Sequence, residues 1–238
     1  MANPYFQFKK FTIRHDKCAM KVGTDAVLLG AWADITACKN ILDIGTGTGI
    51  IALMLAQRSF ASIDAIDIDT DAYSQAKENV AASPFTERMK VIHASCSEYT
   101  GSFAGEKYDL IVSNPPYFIN SLKCPDNKRS VARHTDSLPL SELINDSCSL
   151  LSSSGRIALV LPYEQLEEIE MIAHKNHLSI SRQTDVIPIP GAQPKRLLIE
   201  LSAAPADRKK RNTLIIEEAR HQYTPEYIAL TKDFYLKM

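Results

Sequence analysis

Apolar and polar positions fall into alternating blocks along this chain. Short runs rich in Ile, Val and Leu are separated by stretches with the 3.6-residue period of an amphipathic helix. The runs 40–44, 62–68, 89–93, 108–113, 156–161, 178–187 and 195–202 read as strands. Helices are predicted over 25–32 and 49–59, from a Thr70-Asp71 cap to 80, and over 138–151, 164–176 and 223–236. Residues 1–22 differ: Phe6, Phe8, Phe11 and Ile13 alternate with polar positions, which suits a short strand or hairpin. Residues 101–105 and the polar stretch 118–137 read as loops. Strand and helix in alternation predict an α/β fold with a doubly wound, mostly parallel sheet. The 238 residues divide into an arm and closing segment, 1–34, and a main domain, 35–238.

Three of the nine glycines fall within five residues, in Asp43-Ile44-Gly45-Thr46-Gly47-Thr48-Gly49. A strand precedes them and a helix follows, so backbone N–H groups face outward and a ligand can approach closely. The spacing is not the G-x-G-x-x-G of dinucleotide sites, and it carries an acid at the strand end. Asp43 would repel a pyrophosphate but suits an ammonium group. Asp67 closes the next strand, where α/β nucleoside sites hold ribose hydroxyls. The competing reading of Asp67 and Asp69 is a solvated strand end that caps the next helix. Asn114-Pro115-Pro116-Tyr117 follows the apolar run Asp109-Leu110-Ile111-Val112-Ser113. Two prolines fix φ and remove two donors, so the carbonyls before them are free to face a ligand. Asn114 adds an acceptor and a donor, and Tyr117 a flat face. Such a corner suits a planar amine, although a Pro-Pro pair also simply ends strands.

Taken together, these motifs resemble those of the class I S-adenosylmethionine-dependent methyltransferases, in the branch that methylates amino groups of adenine, guanine or glutamine. Met20 to Trp32, upstream of the glycine turn, and the tail Glu218 to Tyr227 resemble a subset of RNA methyltransferases. Over nearly the whole chain the similarity is to bacterial tRNA adenine N6-methyltransferases acting on adenosine 37 of valine tRNA. That resemblance implies a Rossmann-like, seven-stranded sheet whose last strand is antiparallel, with S-adenosylmethionine as cofactor. It implies cofactor contacts at Thr24, Asp25, Asp43, Gly45, Gly47, Gly49, Asp67, Ser95 and Asn114. Many relatives carry an acid after the third strand. Here the stretch is His93-Ala94-Ser95-Cys96-Ser97, so Ser95 or a backbone group takes that role. Thr24-Asp25 either closes the methionine side or caps the following helix. Catalysis is expected from Asn114, the Pro115 carbonyl and Tyr117. The first two would hold the hydrogens of adenine N6, and Tyr117 would stack on the base.

Net charge is −1, which alone argues against a general nucleic-acid binder, but charge is segregated. Residues 1–22 hold Lys9, Lys10, Arg14, Lys17 and Lys21 against Asp16. Residues 195–220 hold seven basic side chains against four acidic ones, and residues 60–110 four against nine. One basic face meeting phosphates is the expectation. The set assigned to RNA is Lys9, Lys10, Arg14, Lys128, Arg129, Arg133, Lys195, Arg196, Lys209, Lys210 and Arg211, the partner being the anticodon region of tRNA. A solvated loop is the plainer reading of 208–211. Five cysteines without a C-x-x-C pair imply a reduced, cytoplasmic setting without zinc or disulfides. His174 and His177 read as a solvated pair on a polar helix. No metal, no signal peptide and no membrane span are expected, and a monomer is. Rival readings are a protein-glutamine methyltransferase, an rRNA guanine N2-methyltransferase and a nucleoside-binding module without catalysis. The basic, aromatic arm favours RNA, and Tyr117 favours adenine over guanine.

Overall fold

A computed structural model of the chain describes residues 3–18, 21–116, 138–204 and 210–237. Its strands are β1 (Tyr5–Gln7), β2 (Thr12–Arg14), β3 (Asn40–Ile44), β4 (Ser62–Asp67), β5 (Met89–His93), β6 (Tyr108–Ser113), β7 (Leu151–Pro162), β8 (Ser179–Ile187), β9 (Arg196–Ser202), β10 (Lys210–Ile215), β11 (Glu217–Ala219) and β12 (Gln222–Tyr223). The helices are α1 (Thr24–Trp32), α2 (Ile50–Arg58), α3 (Thr70–Ala81), α4 (Cys96–Ser102), α5 (Leu140–Leu150), α6 (Leu166–Lys175) and α7 (Pro225–Thr231).

The central sheet runs β10-β8-β9-β7-β6-β3-β4-β5. All its pairings are parallel except those of β9, which is antiparallel to both β7 and β8. The doubly wound, mostly parallel sheet is as expected, and it has eight strands rather than seven. The additional strand, β10, extends the edge beside β8, where its backbone completes a ladder that the sequence pattern does not mark. Strands β3 and β6 read as near-continuous apolar runs because helices cover both faces of the sheet. One face packs against α1, α2 and the N-terminal hairpin, with Leu28, Met54, Phe8 and Ile13 in a shared core. The other face packs against α5 and α6 through Leu143, Ile144 and Ile169.

The chain ends meet. Phe8 lies between Phe11 and Tyr235, with ring centroids 4.8 and 5.8 Å away. The Lys9 amide donates to Phe234 O. The arm is thus packed into the main core. Other differences from the sequence reading are local. Residues 96–102 form α4, because Ser95 and Glu98 make a reciprocal capping box. Asp69, not the Thr70-Asp71 pair, caps α3 by accepting from the Ala72 amide at 2.8 Å. The terminal helix is confined to Pro225–Thr231, since Tyr223 is taken up by β12. His177 lies beyond α6 with φ +56°, off the helix that carries His174.

Candidate active site

The parallel strands β3, β4 and β6 end together, and the loops at that edge hold the motif residues. Ile44 pairs in register with Ile66 and with Ser113, and Asp67 with His93. The buried Ser113 hydroxyl donates to Ile44 O at 2.8 Å. That bond fixes the end of β6 to the end of β3. It brings Asn114 and Pro115, both half-buried, beside Gly45. The Asn114 corner and the glycine turn are separated by 69 residues in sequence and are neighbours in the fold.

Gly45, Gly47 and Gly49 have φ of +70°, +58° and +80°. An L-residue in such conformations costs roughly 1–2 kcal/mol. A Cβ at Gly45 or Gly47 would meet nothing within 4 Å, so these positions need glycine for backbone shape, and the space above them is open. Asp67 braces the turn: its Oδ2 accepts from the Gly47 amide at 2.7 Å and its Oδ1 from the Asp69 amide at 2.9 Å. Each oxygen keeps a lone pair for a further donor. Burial raises the Asp67 pKa above the usual carboxylate range, against the pull of those two amides.

Asp43 is fully buried. Its Oδ2 accepts from the Thr46 hydroxyl at 2.6 Å and the Ala52 amide at 3.2 Å. Its Oδ1 has no partner among the described residues. Burial pushes its carboxyl up to about 7, while the two donors pull the other way. A buried oxygen without a donor, open space over two glycines and a braced carboxylate one strand away form an acceptor set for an ammonium-bearing nucleoside. S-adenosylmethionine carries both groups, and the residues present fit it.

Other expected contacts fall into place less simply. Thr24 opens α1 and is preceded by Gly23, the N-cap residue, which offers no side-chain cap. Asp25 accepts from Arg196 Nε at 2.8 Å, tying the start of α1 to the start of β9. Ser95 Oγ donates to Glu98 Oε2 at 2.8 Å and accepts from the Glu98 amide at 3.1 Å, so its hydroxyl is engaged in the α4 cap.

Four features of the site have roles that the sequence analysis did not assign. Ile68, one residue past Asp67, is 55% exposed at the edge. His93 sits opposite, stacked on Tyr73 at 5.3 Å, with Nε2 2.9 Å from Ile68 O. The sequence places Ile68 inside the strand 62–68; its only signal was an apolar residue directly after the strand-end acid Asp67. The arm runs past the site: Asn79 Nδ2 donates to both Arg14 O and Thr48 O, so α3 clamps the arm to the glycine turn. Finally, α1 is held at its far end by arginines. Arg58 Nη1 donates to Gly30 O and Ala33 O, and Arg182 lies 3.6 Å from the Trp32 ring centroid while donating to Trp32 O.

The structure divides the expected RNA set. Lys195 and Arg196 lie at the same edge as Asn114, because Arg196 pairs with Pro162 at the end of β7. Arg14 is exposed beside the glycine turn. Lys9 and Lys10 sit at the opposite end of the strands, beside Arg58 and Asp233. Arg211 is engaged with Asp185 at 2.8 Å, and Lys210 starts β10 far from the edge, opposite Arg182. Tyr117, Lys128, Arg129, Arg133 and Lys209 lie outside the described residues.

Comparison with known proteins bears on the family and the fold. Residues 20–181 match the methyltransferase small domain. A Parabacteroides distasonis protein is 63% identical over 238 residues, with both chains covered fully. A Bacteroides fragilis protein is 51% identical over the same span and coverage. Both are named tRNA1(Val) (adenine(37)-N6)-methyltransferase. Among solved structures, an Agrobacterium tumefaciens protein described as a predicted O-methyltransferase superposes with a TM-score of 0.66. It shares 21% identity, with 88% of this chain and 96% of that one covered, and so speaks for the fold. The glycine turn, the strand-end acids and the Asn-Pro-Pro corner, together with the match over residues 20–181 and relatives similar from end to end, place this chain in the methyltransferase small domain family.

Proposed function

We propose that this chain transfers the methyl group of S-adenosylmethionine to N6 of adenosine 37 in a valine tRNA. The observation that carries the reading is the Ser113–Ile44 bond, which holds Asn114 and Pro115 against the glycine turn. The two full-length relatives of that name support the choice of substrate.

When bound, the cofactor supplies a methyl group made electrophilic by its sulfonium. The chain supplies everything else. The partnerless, buried oxygen of Asp43 would favour the ammonium directly or through a bridging water, the remaining lone pairs of Asp67 would take ribose hydroxyls, and Ile68 and His93 would flank the adenine ring. On the substrate side, Asn114 Oδ1 and Pro115 O accept the two N6 hydrogens. That directs the nitrogen lone pair at the methyl group and stabilises the positive charge that grows on nitrogen. Tyr117 stacks on the base, an interaction worth about 1–3 kcal/mol. The proton leaves nitrogen after transfer, so no side chain with a matched pKa is required. The anticodon region is the site of contact, reached by a monomer in the cytoplasm.

The test is single-turnover methyl transfer to unmodified valine tRNA. Asn114→Ala should cut the rate on the order of 100-fold with cofactor affinity retained. Transfer at the wild-type rate by a variant that binds cofactor normally would make the corner a mere strand terminator.

A further inference from the structure

The tail 218–227 resembles RNA methyltransferases in sequence, yet nothing in the active site uses it. Its structure is a short hairpin rooted at the catalytic edge. Strand β10 ends at Ile215, opposite Ile187 of β8. The Ile216 amide then donates to Ile187 O and the Glu217 amide to Pro188 O. On the return, the Thr224 amide donates to Ile216 O and its hydroxyl to Ile215 O, and Tyr227 is buried at the start of α7. Between these anchors β11 and β12 pair through Glu217–Tyr223 and Ala219–Gln222, and residues 218–223 are all exposed. His221 turns the hairpin at φ +64°, a left-handed conformation uncommon outside glycine. A fixed base thus carries an exposed tip.

The tip bears Arg220, His221 and Tyr223. Tyr223 is 41% exposed, and its ring rests on Tyr227 at 5.0 Å, so it is oriented without being covered. Arg196 and Arg211 are engaged with Asp25 and Asp185. Arg220 and the exposed Lys195 pair with no carboxylate among the described residues. Beside them, Ile189 is exposed in the turn after β8.

We propose that the β11–β12 hairpin is a second RNA contact, in which Tyr223 stacks on an unpaired base and Arg220 and Lys195 hold phosphates flanking it. The proposal rests on tRNA being the substrate. Two arguments favour RNA as the occupant. First, charge sets the direction in which an RNA anchored at Asn114 can run. The β4–β5 end of the edge carries Asp69, Asp71 and Glu98, which repel phosphates, whereas at the β9–β10 end the exposed Lys195 and Arg220 offer phosphate contacts alongside the exposed Glu218 and Glu226. Second, the distance suits a substrate larger than one nucleoside. Four strand spacings separate β6 from β10, roughly 20 Å at about 4.8 Å each. At roughly 3.4 Å per base step that is about six steps, well beyond the target base. An aromatic face beside basic groups is the arrangement that holds single-stranded RNA.

The experiment measures kcat and KM for a valine tRNA transcript, and tRNA affinity by filter binding, with the full-length chain. Tyr223→Ala should raise KM and tRNA Kd about 10-fold with kcat within twofold, unchanged cofactor affinity and an unchanged Tm. Tyr223→Phe should match wild type. Arg220→Ala should reduce the slope of log Kd against log salt by about one. Unchanged tRNA affinity in both Tyr223→Ala and Arg220→Ala overturns the proposal and leaves the hairpin to a protein partner. A parallel loss of cofactor affinity or Tm also overturns it, making Tyr223 a packing residue. If the wild-type chain fails to methylate the transcript, the substrate assignment falls. The hairpin is then judged by the binding arm alone, on the same criteria.

Discussion

Asp43 offers a direct test, because its carboxyl is pulled in opposite directions by stability and by function. In the folded chain its pKa is raised from the ordinary 3.8 to about 7 by burial. The folded state therefore holds a proton that the unfolded chain releases, and stability falls as pH rises from about 4 to about 7, then levels. Each pH unit in that window removes about 1.4 kcal/mol, so the ceiling is ~4 kcal/mol. Asp43→Asn is neutral at every pH. Its amide oxygen can still accept from the Thr46 hydroxyl and the Ala52 amide, as Oδ2 does now. Melting curves of the two proteins without cofactor, between pH 4.5 and 8.5, should diverge as pH rises. The variant should gain up to roughly 10 °C on wild type, at 2–4 °C per kcal/mol for a chain of this size. Any constant packing penalty offsets the curves but not their slopes. Binding should show the reverse. A cofactor ammonium favours the ionised carboxylate, so wild-type affinity should climb to about pH 7 and then level, while the variant binds weakly at all pH. Parallel melting curves would refute the reasoning, since Asp43 would then ionise freely in the folded chain.

Asp67→Ala should weaken S-adenosylmethionine binding by about 1.5–3 kcal/mol by calorimetry and also lower Tm, because the Gly47 and Asp69 amides lose their acceptor; unchanged affinity would remove Asp67 from the site. Tyr117→Ala should raise KM for tRNA whereas Tyr117→Phe keeps the stacking face and much of the activity, and equal loss in both variants would point to the hydroxyl instead. Neutralising Lys209, Lys210 and Arg211 together should flatten the salt dependence of tRNA binding. Because Arg211 is engaged with Asp185, its share should be the smallest of the three, and a slope equal to wild type would confine them to a solvated surface.

The sequence by itself determined the parallel core of the central sheet and marked the candidate site residues. Strands β3 and β6 begin and end where the apolar runs do, because a parallel strand covered on both faces is largely apolar. The glycine spacing specified the turn, since those backbone shapes exclude most side chains. Short-range signals were also present where the reading missed an element: Ser95 and Glu98 form a capping box, but no apolar run follows to mark α4. Tertiary structure decided what depends on partners far away in the chain. Strand β10 is edge backbone with exposed basic side chains, and only the neighbouring β8 makes it a strand. Charge along the chain suggested one basic face, yet folding sends Lys9 and Lys10 to one end of the sheet and Lys195 to the other. The partnerships of Arg196 with Asp25 and Arg211 with Asp185 are likewise invisible in sequence, because they join residues 171 and 26 positions apart. Periodicity records which face of an element is buried; it does not record which strand lies next to which, and that neighbourhood sets where each charge goes.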